Sequence, residues 1–93
     1  MMMKYKIRRT PKFKREFRKV LKRGYDEALF EEVVAKLASG KQLEPKYRDH
    51  ALVGNYTGFR ECHITPDWLL IYKIEADVLI LVLQRTGTHS DLF

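Results

Sequence analysis

The 93-residue sequence predicts an α+β domain in which a small antiparallel sheet, built from an N-terminal strand and a three-strand C-terminal meander, packs against an N-terminal helical hairpin. Three observations predict it. Apolar residues recur at helical spacing in two stretches between residues 11 and 40. After residue 58 the pattern changes to three apolar runs of strand length, parted by short turn sequences. Both helical stripes then have one sheet to cover, and helices gathered on one side of an antiparallel sheet satisfy that need.

Tyr5 and Ile7 alternate with Lys4, Lys6 and Arg8, which reads as a short edge strand. Thr10-Pro11 opens the first helix, threonine as cap and proline at the first helical position. Phe13, Phe17, Val20 and Leu21 form its apolar stripe, and Gly24 ends it. Asp26 caps the second helix, with Leu29, Phe30, Val33, Val34 and Leu37 as the stripe and Gly40 as the stop. Residues 41–57 show no period and carry Pro45, Gly54 and Asn55, the signature of a long irregular connection that holds His50. Strands are expected at 59–64, 68–74 and 78–85, with Thr65-Pro66-Asp67 and Glu75-Ala76-Asp77 between them. The last run is apolar on both faces, so it belongs in the middle of the sheet or under a partner. One domain, residues 1–93, uses the whole chain.

Charge narrows the function. Residues 4–23 hold eleven lysines and arginines against the single Glu16, a segment charge of +10, so the rest of the chain carries −4 of the net +6. Such a cationic half suits a polyanion, because neutralising phosphates releases condensed counterions. Arg15, Arg18, Lys19 and Lys22 are the residues expected to touch nucleic acid. A solvated helix face or an acidic protein partner are the other readings. No apolar run is long enough to cross a bilayer. The start, Met1-Met2-Met3-Lys4-Tyr5-Lys6-Ile7-Arg8, lacks the apolar core of a signal peptide. The lone Cys62 has no disulfide partner, which fits a cytoplasmic protein, and reads as a small buried hydrophobe rather than a nucleophile.

All three histidines fall in Asp49-His50, in Cys62-His63-Ile64-Thr65-Pro66-Asp67-Trp68 and in Arg85-Thr86-Gly87-Thr88-His89. Imidazole titrates near neutral pH, so three of them beside Arg85 in a basic protein point to acid–base chemistry on a phosphodiester. Asp67 reads equally as a turn former after proline. Trp68 reads as core or as a stacking platform. A zinc site is disfavoured, because no two histidines have i, i+4 helical spacing and Pro66 interrupts His63 and Asp67. Neither Ser39 nor Ser90 sits in a nucleophile elbow, and no glycine loop suits a nucleotide. No cofactor is expected.

The run Asp49-His50-Ala51-Leu52, continuing through Gly54, Tyr56 and Gly58-Phe59-Arg60-Glu61 to His63-Ile64 and Pro66-Asp67-Trp68, together with Arg85-Thr86-Gly87-Thr88-His89 and the terminal Asp91-Leu92-Phe93, resembles the YafQ-type toxins of the RelE/ParE superfamily. The resemblance covers most of residues 45–93, and the helical hairpin agrees in layout. It implies a RelE/ParE-like fold and a ribosome-dependent endoribonuclease that cuts mRNA and is silenced by a cognate antitoxin. By matching position, its functional set falls on His50, His63, Asp67, Trp68, Arg85, His89 and Phe93. On that basis the expected chemistry is metal-independent attack of the ribose 2′-OH on the adjacent phosphate. His89 would be the acid, His50 and Asp67 the candidates for base or for orienting it, with His63 close by. Arg85 would hold the non-bridging oxygens, and Trp68 and Phe93 would stack on or brace a nucleotide. The alternative class is a non-catalytic binder on this scaffold, either a ParE-like inhibitor of DNA gyrase or an RNA-binding module.

Overall fold

The computed structural model describes residues 3–93. Met1 and Met2, the first residues of the segment read above as unlike a signal peptide, lie outside them. Strand β1 (Lys6–Arg9) leads through Thr10 into helix α1 (Pro11–Lys22), and helix α2 (Glu27–Ala38) follows. The caps are the ones the sequence offers. The Thr10 hydroxyl accepts the Phe13 N–H at 3.0 Å, and the Asp26 carboxylate accepts the Ala28 N–H at 2.9 Å. Gly24 turns the chain between the helices with φ +94°, a conformation that favours glycine. The two stripes meet through Phe13, Phe17 and Phe30, whose ring centroids lie 4.4–5.8 Å apart. Among the described residues no helix is long and apolar enough to cross a membrane.

Four further strands, β2 (His50–Ala51), β3 (Arg60–Thr65), β4 (Trp68–Glu75) and β5 (Ile80–Gly87), and a final short helix α3 (His89–Leu92), complete the chain. The sheet order is β1-β5-β4-β3-β2. The α+β plan of one sheet against a helical hairpin is the expected one, and β5 sits inside the sheet as its two apolar faces require. Three details differ. First, β1 pairs with β5 in parallel, Lys6 opposite Ile80 through Arg9 opposite Leu83, so the sheet is mixed. The direction follows from what comes next: beyond Leu83 the edge of β5 is taken by α1, and Thr10 donates its hydroxyl to the Gln84 carbonyl at 3.0 Å. Second, the stretch expected as irregular contains β2, with His50 opposite Glu61 and Ala51 opposite Arg60. Asp49 holds it in place by accepting from the Tyr72 hydroxyl and from Arg60 Nη2 at 3.1 Å. Third, the last strand begins at Ile80, because Leu79 adopts φ +56° in the turn and stands exposed with Val78.

The sheet has two unlike faces. Toward α1 and α2 lie Cys62, Trp68, Leu70, Tyr72, Leu81 and Leu83, all essentially buried. On the other face Leu69 and Ile71 pack with Leu92 and with the partly buried Leu52, Tyr56 and Phe59. One bulge decides which face Arg85 shares. Tyr72 pairs with Leu83 but Ile71 pairs with Arg85, leaving Gln84 as an extra residue in β5. Strict alternation would put Arg85 on the helix side with Leu81 and Leu83. The extra residue moves it to the opposite face.

Candidate active site

That face gathers most of the candidates. His50, Glu61, Ile71 and Arg85 are successive partners across β2, β3, β4 and β5, and His63 lies two residues along from Glu61, opposite Leu69. Cross-strand partners project to the same side. The result is a polar rim at each end of an apolar floor made by Leu69 and Ile71.

At one end Arg85 is fixed on two sides. Its Nε and Nη2 donate to the Glu16 carboxylate at 3.2 and 2.5 Å, and its Nη1 donates to the Tyr56 hydroxyl at 3.0 Å. These bonds, Glu16 first, push the guanidinium pKa up and keep the group charged. The Tyr56 ring meets the Phe93 ring edge-on at 6.2 Å, and Phe93 lies 5.2 Å from the His89 imidazole. Arg85, Tyr56, Phe93 and His89 therefore form one connected group. His89 and Phe93 are exposed. Their position depends on α3, which Thr88 and Asp91 cap reciprocally, and on Arg23, whose Nη1 donates to Asp91 at 2.6 Å. That guanidinium holds the Asp91 carboxyl well below its ordinary range. Gly87 permits the close approach, since a Cβ there would lie 2.9 Å from the Asp91 side chain.

At the other end His50 and His63 share Glu61. The Arg48 carbonyl accepts at 2.7 Å from His50 Nδ1, which must carry the proton, and Nε2 faces Glu61 Oε1 at 3.4 Å. His63 Nδ1 reaches the Pro66 carbonyl at 3.2 Å, and its Nε2 stands 3.9 Å from the same Oε1. Glu61 is 6% exposed, and among the described residues its Oε2 has no hydrogen-bond partner. A buried carboxylate oxygen left without a partner is costly, and the two imidazoles beside Oε1 are the groups placed to offset that cost. The sequence reading missed Glu61, Tyr56 and Glu16 as site residues. Each carried a signal: Glu61 is an acid two residues from His63, Tyr56 lies in the quoted run, and Glu16 is the one acid in the basic segment.

Two expected residues lie elsewhere. Trp68 is wholly buried on the helix side, its Nε1 donating to Thr86 Oγ1 at 2.8 Å and its ring packed on Tyr25 and Phe30. It has no free face on which a base can stack, so it is a core residue. Asp67 is exposed, but its carboxylate accepts from the Thr65 and Tyr25 hydroxyls, both at 2.9 Å. Those two bonds lower its pKa, which makes it a weaker base. The hairpin thus places His63 near Asp67 in sequence while their side chains engage different partners. Cys62 is buried, which pushes its thiol pKa up, in keeping with an inert small hydrophobe.

The basic helix, distant in sequence, is adjacent in space. Arg15, Arg18, Lys19 and Lys22 line one exposed depression. Lys19 also borders a cavity of about 240 Å³ that includes Glu16, Arg23 and Arg85. The cationic face of α1 is therefore continuous with the Arg85 end of the site.

Comparison with known proteins agrees with this geometry. The family model described as the bacterial YafQ toxin of type II toxin–antitoxin systems matches residues 5–93. The chain belongs to the YafQ family. The match includes the α1–α2 hairpin, which the sequence motifs alone did not cover. Among curated YafQ relatives, the Escherichia coli K12 mRNA interferase toxin YafQ is 47% identical over 51 residues, 55% of this chain, and the chain spans about half (53%) of that relative's length. Solved toxin structures are matched nearly end to end. The metal-bound toxin from Helicobacter pylori superposes with a TM-score of 0.90 at 42% identity, over 99% of this chain and 100% of that one. YafQ in the E. coli DinJ–YafQ toxin–antitoxin complex gives 0.87 at 32% identity, over 96% and 98%.

Proposed function

We infer that this YafQ-family chain is the toxin of a type II toxin–antitoxin pair and an endoribonuclease that cleaves mRNA on the ribosome. The observation that carries the reading is the placement of two imidazole groups on one sheet face and its rim, with Arg85 on the same row of cross-strand partners as His50. His50, its Nδ1–H held by the Arg48 carbonyl, serves through Nε2 as the base that takes the 2′-OH proton, and Glu61 beside Nε2 stabilises the imidazolium that forms. The 2′-oxygen attacks the neighbouring phosphorus, and Arg85 stabilises the charge that builds on the non-bridging oxygens. His89 gives its proton to the departing 5′-oxygen. Phe93 and Tyr56 brace the nucleotide. His63 supports Glu61 from the second side. The products are a 2′,3′-cyclic phosphate and a 5′-hydroxyl.

The test is the purified protein, first stripped of bound metal with EDTA and dialysed free of it, added to ribosomes carrying mRNA in magnesium buffer. Cleavage equal to that of the untreated protein is expected. Loss of cleavage that a transition metal restores would overturn the metal-independent mechanism, a pertinent outcome since the Helicobacter relative is a metal-bound toxin. Inhibition of DNA gyrase with no cleavage would favour the ParE-like alternative. A cognate antitoxin is the proposed partner, by analogy with the E. coli DinJ–YafQ toxin–antitoxin complex. It would oppose the toxin by covering its basic and catalytic surfaces with an acidic segment.

The cationic face of α1 has a separate task. Phosphate contacts made by lysine and arginine carry no sequence information, so Arg15, Arg18 and Lys22 set affinity for ribosomal RNA. Lys19 is left out of the test because it borders the Arg85 cavity. Neutralising the other three weakens ribosome binding and lowers the log–log salt slope by about 0.7–0.9 per lost contact. Wild-type affinity and slope in that variant would make these residues a solvated face.

A further inference from the structure

We propose that Glu16 is a positioning residue for the cleavage reaction, clamping one edge of Arg85 so that the other edge meets the phosphate. This inference rests on the reading of Arg85 as the phosphate-binding group. A guanidinium has five N–H donors in a fixed plane. Glu16 takes the Nε donor and one on Nη2, and Tyr56 takes one on Nη1. Two donors remain, one on each terminal nitrogen. Two such N–H groups match a pair of non-bridging phosphate oxygens. Without Glu16 the long arginine side chain is free to rotate, and the orientation must be recovered at each encounter with substrate.

The placement of Glu16 is otherwise hard to explain. A negative charge on the helix that meets RNA opposes binding, and it is the only acid between residues 4 and 23. The helix keeps that charge away from the solvent. The side chains of Glu16 and Arg85 are only 17% and 13% exposed, whereas Arg15, Arg18 and Lys22 are exposed around them. Glu16 is itself braced, since Oε1 also accepts the Thr86 backbone N–H at 3.3 Å just past the β5 bulge. The clamp thus ties the RNA-facing helix to the strand segment that re-aims Arg85.

The experiment is single-turnover cleavage at saturating ribosome for Glu16→Ala, Glu16→Gln and Arg85→Lys, and for Glu16→Ala combined with Arg85→Lys. Glu16→Ala is expected to slow cleavage by about 10- to 100-fold while ribosome affinity stays equal or tightens, since an opposing charge is lost. Glu16→Gln, which keeps the shape and one acceptor oxygen, should recover part of the rate, and it carries the comparison should the alanine variant fail to fold. In the Arg85→Lys background, where there is no planar fork left to orient, removing Glu16 should cost less than about threefold. A merely structural tie between α1 and β5 would instead give multiplicative losses. Those losses, or a Glu16 variant that cleaves at the wild-type rate or faster, would overturn the proposal. Should Arg85→Lys itself cleave normally, it is the assignment of Arg85 that fails. Impaired Arg85→Lys beside normal Glu16 variants rejects the clamp alone.

Discussion

Replacing His89 with alanine lowers single-turnover cleavage of ribosome-bound mRNA by about 10²–10⁴-fold, the range that a positioned general acid supplies. His89 is exposed at the first position of α3, and its ring lies against Phe93. The substitution therefore removes a proton donor without opening a cavity. Thermal stability should be unchanged, and ribosome affinity should stay within about twofold, as for most surface substitutions. Rapid-quench cleavage with a parallel ribosome-binding titration separates the two quantities. A variant that cleaves at the wild-type rate takes His89 out of the mechanism.

The second large effect is on stability. Trp68→Ala costs about 3–5 kcal/mol, the usual range for deleting a buried large aromatic. Trp68 fills the space between Tyr25, Phe30 and the sheet, and its Nε1 donates to Thr86 Oγ1, which in turn donates to the Leu69 carbonyl at 2.7 Å. Removing it leaves both a void and a broken hydrogen-bond chain under β5. For a chain of this size each kcal/mol moves the thermal midpoint by roughly 4–8 °C, so the shift is easily read by calorimetry. Activity lost with an unchanged midpoint would show that Trp68 acts on substrate instead.

What the sequence revealed depended on how local each signal was. Thr10-Pro11 and the Phe13, Phe17, Val20 spacing place α1 because cap and stripe lie within a few residues of each other. The parallel pairing of β1 with β5 has no such signal. It arises from where α1 must lie, along the edge of β5 beyond Leu83. The two-residue strand at His50 is likewise held from a distance, by Asp49 against Tyr72 and Arg60. Trp68 could not be assigned to a face because Trp68, Leu69, Leu70, Ile71 and Tyr72 are all apolar, so alternation carries no information there.

The candidate site was legible as a set of residue types and illegible as an arrangement. His50, His63, Arg85, His89 and Phe93 do share the face away from the helices or its rim. What brings Arg85 to that face is the extra Gln84, and nothing about Leu83-Gln84-Arg85 marks a bulge in the sequence. Glu61 was hidden by its surroundings, one acid in a strand whose register alone reveals that it stands between two imidazoles. Asp67 illustrates the converse. Proximity in the hairpin suggested a shared role with His63, but hydroxyls of Thr65 and Tyr25 occupy its carboxylate. The short helix α3 was signalled by Thr88 and Asp91, which have the spacing of a capping box, yet a four-residue helix is too short to show a period.

The central claim, attack by the 2′-hydroxyl, is tested most directly on the cleaved mRNA itself. A ribosome-bound message is prepared with a single 2′-deoxy nucleotide on the 5′ side of the bond that is cut, and its fragments are compared with those of the all-ribose message. The all-ribose message should yield an upstream fragment ending in a 2′,3′-cyclic or 3′-phosphate and a downstream fragment beginning with a 5′-hydroxyl, while the deoxy-substituted bond should remain intact. Cutting at the deoxy position, or downstream fragments that carry a 5′-phosphate, would contradict attack by the 2′-hydroxyl and the acid–base assignments built on it.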